Sequence, residues 1–101
     1  MAYDPGALQT ALAAAVGDDP ALIIELRSAF LASAHAHADA LGRARSDTDW
    51  SMAACRLQGL AASFGAIRLM EIAAEAADGA PGDPMILRRI DRAISAFTES
   101  H

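Results

Sequence analysis

The sequence predicts an all-α protein: an antiparallel up-down four-helix bundle with a short N-terminal helix, forming a single domain over residues 1–101. Three observations carry this expectation. Asp4-Pro5, Asp19-Pro20 and Asp83-Pro84 each set a capping acceptor before a proline at a first helical position, where a missing N–H costs nothing. Behind each pair, apolar residues recur at three- and four-residue steps, and no strand-like alternation occurs. The composition is 53% hydrophobic, 21% charged and only 5% aromatic, which suits thin, closely packed alanine-rich helices better than a β-sandwich or a disordered chain.

The first helix spans about Pro5 to Val16 and stops at Gly17. The second runs from Pro20 to about Arg45, with Leu22, Leu26, Phe30, Ser33, His37 and Leu41 on one stripe and Gly42 loosening its last turn. The third starts near Asp47–Asp49 and reaches Phe64, where Gly65 ends it or permits a tight junction. A fourth segment, Ala66 to Ala77, turns Ile67, Met70, Ala74 and Ala77 inward and stops before the loop Gly79-Ala80-Pro81-Gly82. The last helix runs from Pro84 to about Thr98, with Ile86 or Leu87, Ile90, Ile94 and Phe97 at core spacing. Short connections between long helices imply antiparallel neighbours.

The third helix has two faces of different kinds. Trp50, Ala53, Leu57, Leu60, Ala61 and Phe64 form an apolar stripe for the core. Met52, Cys55, Gln58, Gly59 and Ala62 fall on another side, small and uncharged. Gly59 in mid-helix costs about 1 kcal/mol relative to alanine. Close approach of another molecule beside Cys55 would supply a reason for it, so this side is the expected docking surface.

This segment resembles the core motif of the histidine-containing phosphotransfer (HPt) domain, which reads Ala-His-x-Leu-Lys-Gly, a few small residues, then Gly-Ala and a leucine. Ala54, Leu57, Gly59, Gly65, Ala66 and Leu69 stand where that pattern wants them, with Trp50 and Phe64 at usual apolar positions. The likeness extends from about Leu22 to the C-terminal helix, and its specificity comes from this one segment. Two positions depart from it, and both are chemical: Cys55 takes the place of the phosphorylated histidine and Gln58 that of the supporting lysine. All 8 basic residues are arginine, so no lysine elsewhere could substitute. The resemblance therefore implies a four-helix phosphorelay scaffold without its phosphoacceptor, a pseudo-HPt. Its partner would be a response-regulator receiver domain, a histidine kinase, or both.

Chemistry at Cys55 itself is weakly provided for. The thiolate is the nucleophile, and a neighbouring cation, a metal or a helix N-terminus is what populates it. Cys55 lies mid-helix, and Arg56 projects about 100° away from it. Gln58 offers a neutral donor where hydrogen bonds from a charged group would contribute about 1.5–3 kcal/mol. No catalytic residue is assigned, and the protein is not expected to be an enzyme. The alternatives are a phosphocarrier that uses Cys55 or another residue, and a structural or thiol-sensing helical protein.

The remaining chemical residues read as ordinary. His35 and His37 lie two apart, point to different sides of a helix and cannot chelate one ion. His37 falls on the apolar stripe and His35 is expected in solvent, while His101 is terminal. No metal site and no cofactor are expected. Arg88, Arg89 and Arg92 read as a solvated face. A net charge of −5 and a pI near 4.9 argue against nucleic acid. The sequence predicts no signal peptide and no membrane span. One cysteine allows no intrachain disulfide. A cytoplasmic monomer is the resulting expectation.

Overall fold

A computed structural model describes residues 19–99, and these form four helices and no strand. Helix α1 is Pro20–Arg43, α2 is Asp47–Ser63, α3 is Ile67–Ala77 and α4 is Pro84–Glu99. The expected N-terminal helix over Pro5 to Val16 and His101 lie outside the described residues.

Each start has a visible chemical cause. The Asp19 carboxylate accepts from the N–H groups of Ala21 (3.0 Å) and Leu22 (3.4 Å), with Pro20 at the first position of α1. Ser46 Oγ accepts from Asp49 N at 3.1 Å, and Asp47 and Asp49 add negative charge to the positive end of α2. Asp83 accepts from Met85 N at 2.9 Å to open α4. The end of α2 is equally definite. Gly65 takes φ +70°, Ala66 N donates to Ala61 O (2.8 Å) and Gly65 N to Ala62 O (3.2 Å), the paired bonds of a Schellman motif. Ala61 and Ala66, at its two ends, are both buried.

The helices pack in a ring: α1 against α2 and α4, and α3 against α2 and α4. Phe30, Leu41, Trp50, Leu57, Leu69, Ile72, Ile90, Ile94 and Phe97 are fully buried between them. The Phe30 ring lies 5.0 Å from that of Phe64 and meets Phe97 edge-on at 5.4 Å, tying α1 to the end of α2 and to α4. Arg27 donates to the carbonyl of Phe97 in the last turn of α4, setting a cation at the negative end of that helix.

Three expected faces are corrected by the packing. On α1 the stripe is Phe30, Ala34 and Leu41; Leu22 and Ser33 are exposed, and Leu26 and His37 are half-buried. Twenty-four residues make α1 about 36 Å long. Leu22, in its first turn, is 44% exposed. On α3 the inward face is Leu69, Ile72, Ala73 and Ala76, while Ile67, Met70, Ala74 and Ala77 flank it half-buried. On α2, Trp50, Ala53, Leu57 and Ala61 are buried as expected, but Leu60 and Phe64 are half-buried and Ala54 is fully buried. On α4, Ile86, Ile90, Ile94 and Phe97 are buried and Leu87 is half-buried. No helix of the described residues is long and apolar enough to cross a membrane.

Candidate functional site

Helix α2 is held by its apolar side, which leaves the opposite side free. Trp50 is the main anchor: its indole N–H donates to Ala76 O at 2.6 Å, fixing the first turn of α2 against the last turn of α3. With Trp50, Ala53, Ala54, Leu57 and Ala61 pinned inward, the helical repeat turns Met52, Cys55, Gly59 and Ala62 to solvent, with Gln58 half-buried at their edge. The five residues expected on the docking side thus share one outer strip of α2.

The strip is low and uncharged. A Cβ built on Gly59 would meet nothing within 4 Å, so no helix among the described residues uses the space that the glycine leaves. Ser63 Oγ donates to Gly59 O at 2.9 Å, which folds that hydroxyl onto the backbone. Cys55 is a free, exposed thiol. Neither Cys55 nor Gln58 makes a side-chain hydrogen bond or ion pair among the described residues. Met52, 46% exposed, supplies the one large apolar side chain of the strip. Such a surface offers close approach and apolar contact; the groups that would activate a nucleophile are not adjacent to it.

The other sequence candidates fall elsewhere. His35 is exposed and His37 half-buried, on different sides of α1. No group of three His, Cys, Asp or Glu side chains is placed to hold a metal ion among the described residues. Arg88 and Arg92 are exposed, but Arg89 is half-buried and holds Glu75 of α3 through both guanidinium nitrogens, at 2.7 and 3.4 Å. That contact makes Arg89 a cross-helix tie, not simply a solvated charge.

Two concavities escape the sequence reading. A groove of about 760 Å³ between α1 and α4 is lined by His35, Asp39, Gly42, Leu87 and Asp91 among others, and Asp39 there pairs with Arg43 at 3.1 Å. Alanine and glycine at 32, 36, 38 and 42 of α1 open that groove, and their recurrence at helical spacing is the signal that could have found it. A smaller hollow of about 200 Å³ between α3 and α4 is lined by Arg68, Ile72, Arg89, Arg92, Ala93 and Ala96. Its walls lie some 20 residues apart in the chain, so no local spacing announces it. Compared with known proteins, the chain matches no family model, no curated protein and no solved structure.

Proposed function

We propose that this chain is a pseudo-HPt: an HPt-like bundle that docks a response-regulator receiver domain or a histidine kinase through the outer strip of α2 and does not itself carry phosphate. The observation that carries the reading is Gly59, a mid-helix glycine with open space before it, beside exposed Cys55 and Ala62. A helix interior loses about 1 kcal/mol to such a glycine, and no packing contact among the described residues requires it. A partner surface pressed against α2 would.

An antiparallel up-down bundle is part of the same proposal. It is supported by the short links 44–46 and 64–66, and by the register of α3 on α4. Glu75 pairs with Arg89, and Arg68 shares a hollow with Ala96, so the positions run in opposite directions along the two helices. Sequence support comes from Ala54, Leu57, Gly59, Gly65, Ala66 and Leu69 at the positions of the HPt motif. With Cys55 and Gln58 at the two reactive positions, sequestering or orienting a regulator fits the surface better than relaying phosphate. The protein acts as a cytoplasmic monomer in this reading.

The exposed Cys55 thiol favours a second reading, a phosphocarrier in which Sγ takes the phosphoryl group from an aspartyl phosphate and releases the carboxylate. Incubation with a phosphorylated receiver domain separates the two. Capture of the receiver without any gain of mass supports docking; a stable phosphorylated form of the chain supports the carrier.

A further inference from the structure

The eight arginines of this acidic chain are not spread evenly over it. Arg68, Arg88, Arg89 and Arg92 sit on α3 and α4, and three of them line the hollow between those helices. Arg89 is neutralised by Glu75. Arg68 and Arg92 both line the hollow and form no ion pair among the described residues. Between them lie Ile72 and Ala93, both buried. The hollow is therefore cationic at its rim and apolar at its base.

Arg68 is also in an unfavourable place for a cation. It is the second residue of α3, whose capping position, Ala66, offers no side-chain acceptor and whose first turn contains no carboxylate. The positive end of the helix dipole and the guanidinium repel each other there. An anion bound at this end reverses the sign of both interactions at once.

We propose that the hollow between α3 and α4 is a docking site for an acidic peptide segment, taking a carboxylate between Arg68 and Arg92 and a neighbouring apolar side chain against half-buried Ala96 and the aliphatic stems of the arginines. Guanidinium groups recognise carboxylates by paired hydrogen bonds, and Arg89 already holds the Glu75 carboxylate in this manner on the same face. A peptide can use half-buried Ala96 and the arginine stems as well as the charge, and inorganic phosphate cannot. A net charge of −5 disfavours approach of an acidic partner to the acidic parts of the surface. The site shares no residue with the outer strip of α2 and does not depend on the HPt reading.

The test uses a fluorescein-labelled peptide of alternating glutamate and leucine, with its glutamine counterpart as control, in fluorescence anisotropy at low salt. The glutamate peptide is expected to bind at least tenfold more tightly than the glutamine peptide. Arg68→Gln with Arg92→Gln, checked for helicity by circular dichroism, is expected to weaken it at least tenfold, and Arg43→Gln to leave it unchanged. In the unsubstituted protein, amide shifts on titration are expected to centre on Ile72 and Ala93, a readout that needs no variant. Absence of glutamate-peptide binding, equal weakening by Arg43→Gln, or shifts centred elsewhere would overturn the proposal. So would displacement of the peptide by an equal concentration of inorganic phosphate, which would make the hollow a simple anion site.

Discussion

Trp50 and Ala76 are joined by a buried 2.6 Å hydrogen bond from the indole N–H of the first turn of α2 to a carbonyl of the last turn of α3. Ala76 O also accepts from Gly79 N at 3.0 Å, so one backbone oxygen stops α3 and fastens α2. The strip carrying Cys55 and Gly59 is oriented by this contact, because rotation of α2 about its axis would break it. Trp50→Phe keeps most of the apolar volume and removes the donor. It is expected to lower stability by about 2 kcal/mol, the combined scale of a lost buried bond and a partial cavity. Urea unfolding followed by circular dichroism measures this; a loss below about 0.5 kcal/mol would show that the bond does not hold α2.

Gly59 and Gly65 make opposite predictions for the same substitution. Gly65 has φ +70°, where a Cβ is strained, so Gly65→Ala is expected to destabilise the protein by about 1–2 kcal/mol. A Cβ on Gly59 meets open space within a regular helix, so Gly59→Ala is expected to stabilise it by about 0.5–1 kcal/mol. Thermal melts of the two variants should move in opposite directions from the parent. A loss of stability on Gly59→Ala would mean that the glycine serves the fold and not a partner.

How much of this was legible differs from helix to helix. The ends were readable because they are made by short-range chemistry: Asp19, Asp83 and Gly65 act on neighbours within a few residues. The inner face of α2 was readable because Trp50 and Leu57 are large and the opposite side is small. The inner face of α3 was not, because the apolar residues of Ile67–Ala77 span more than half of its circumference and compete for the inward position. The exposed Glu71 and Glu75 held the phase, since the side opposite them contains Leu69, Ala73 and Ala76. On alanine-rich α1 the expected Ser33 gave way to Ala34, which continues the repeat from Phe30. On the outer side of α2, Met52, Cys55, Gly59 and Ala62 are exposed and Gln58 is half-buried, a pattern that follows from the phase of Trp50 and Leu57. The hollow holding Arg68 and Arg92 depends on which helices become neighbours, and that information is not local.

Cys55 is expected to react with a maleimide in the native protein at a rate close to that in denaturant, since the thiol is exposed and makes no hydrogen bond. Intact mass spectrometry over time follows the reaction. Protection that lasts until denaturant is added would place the thiol inside the bundle and remove it from the docking strip.

Mixed with a phosphorylated receiver domain and Mg²⁺, the chain is expected to show no species heavier by about 80 Da, the mass of one phosphoryl group. Cys55→His together with Gln58→Lys is expected to gain at least partial acceptor activity, because both positions lie on the strip that would face the donor. A stable adduct on the unsubstituted chain would replace docking by phosphate transfer.

The proposed docking sets a partner against α2 at Gly59, and Gly59→Arg would place a long charged side chain in that contact. The side chain would project into open solvent and raise helix propensity, so folding by circular dichroism should be unchanged or improved. Binding to a receiver domain that associates with the parent protein, measured by titration calorimetry, should weaken by about 2 kcal/mol, roughly thirtyfold in Kd, the scale of a central interface residue. Unchanged affinity in the folded variant would place the partner elsewhere on the bundle and contradict the account.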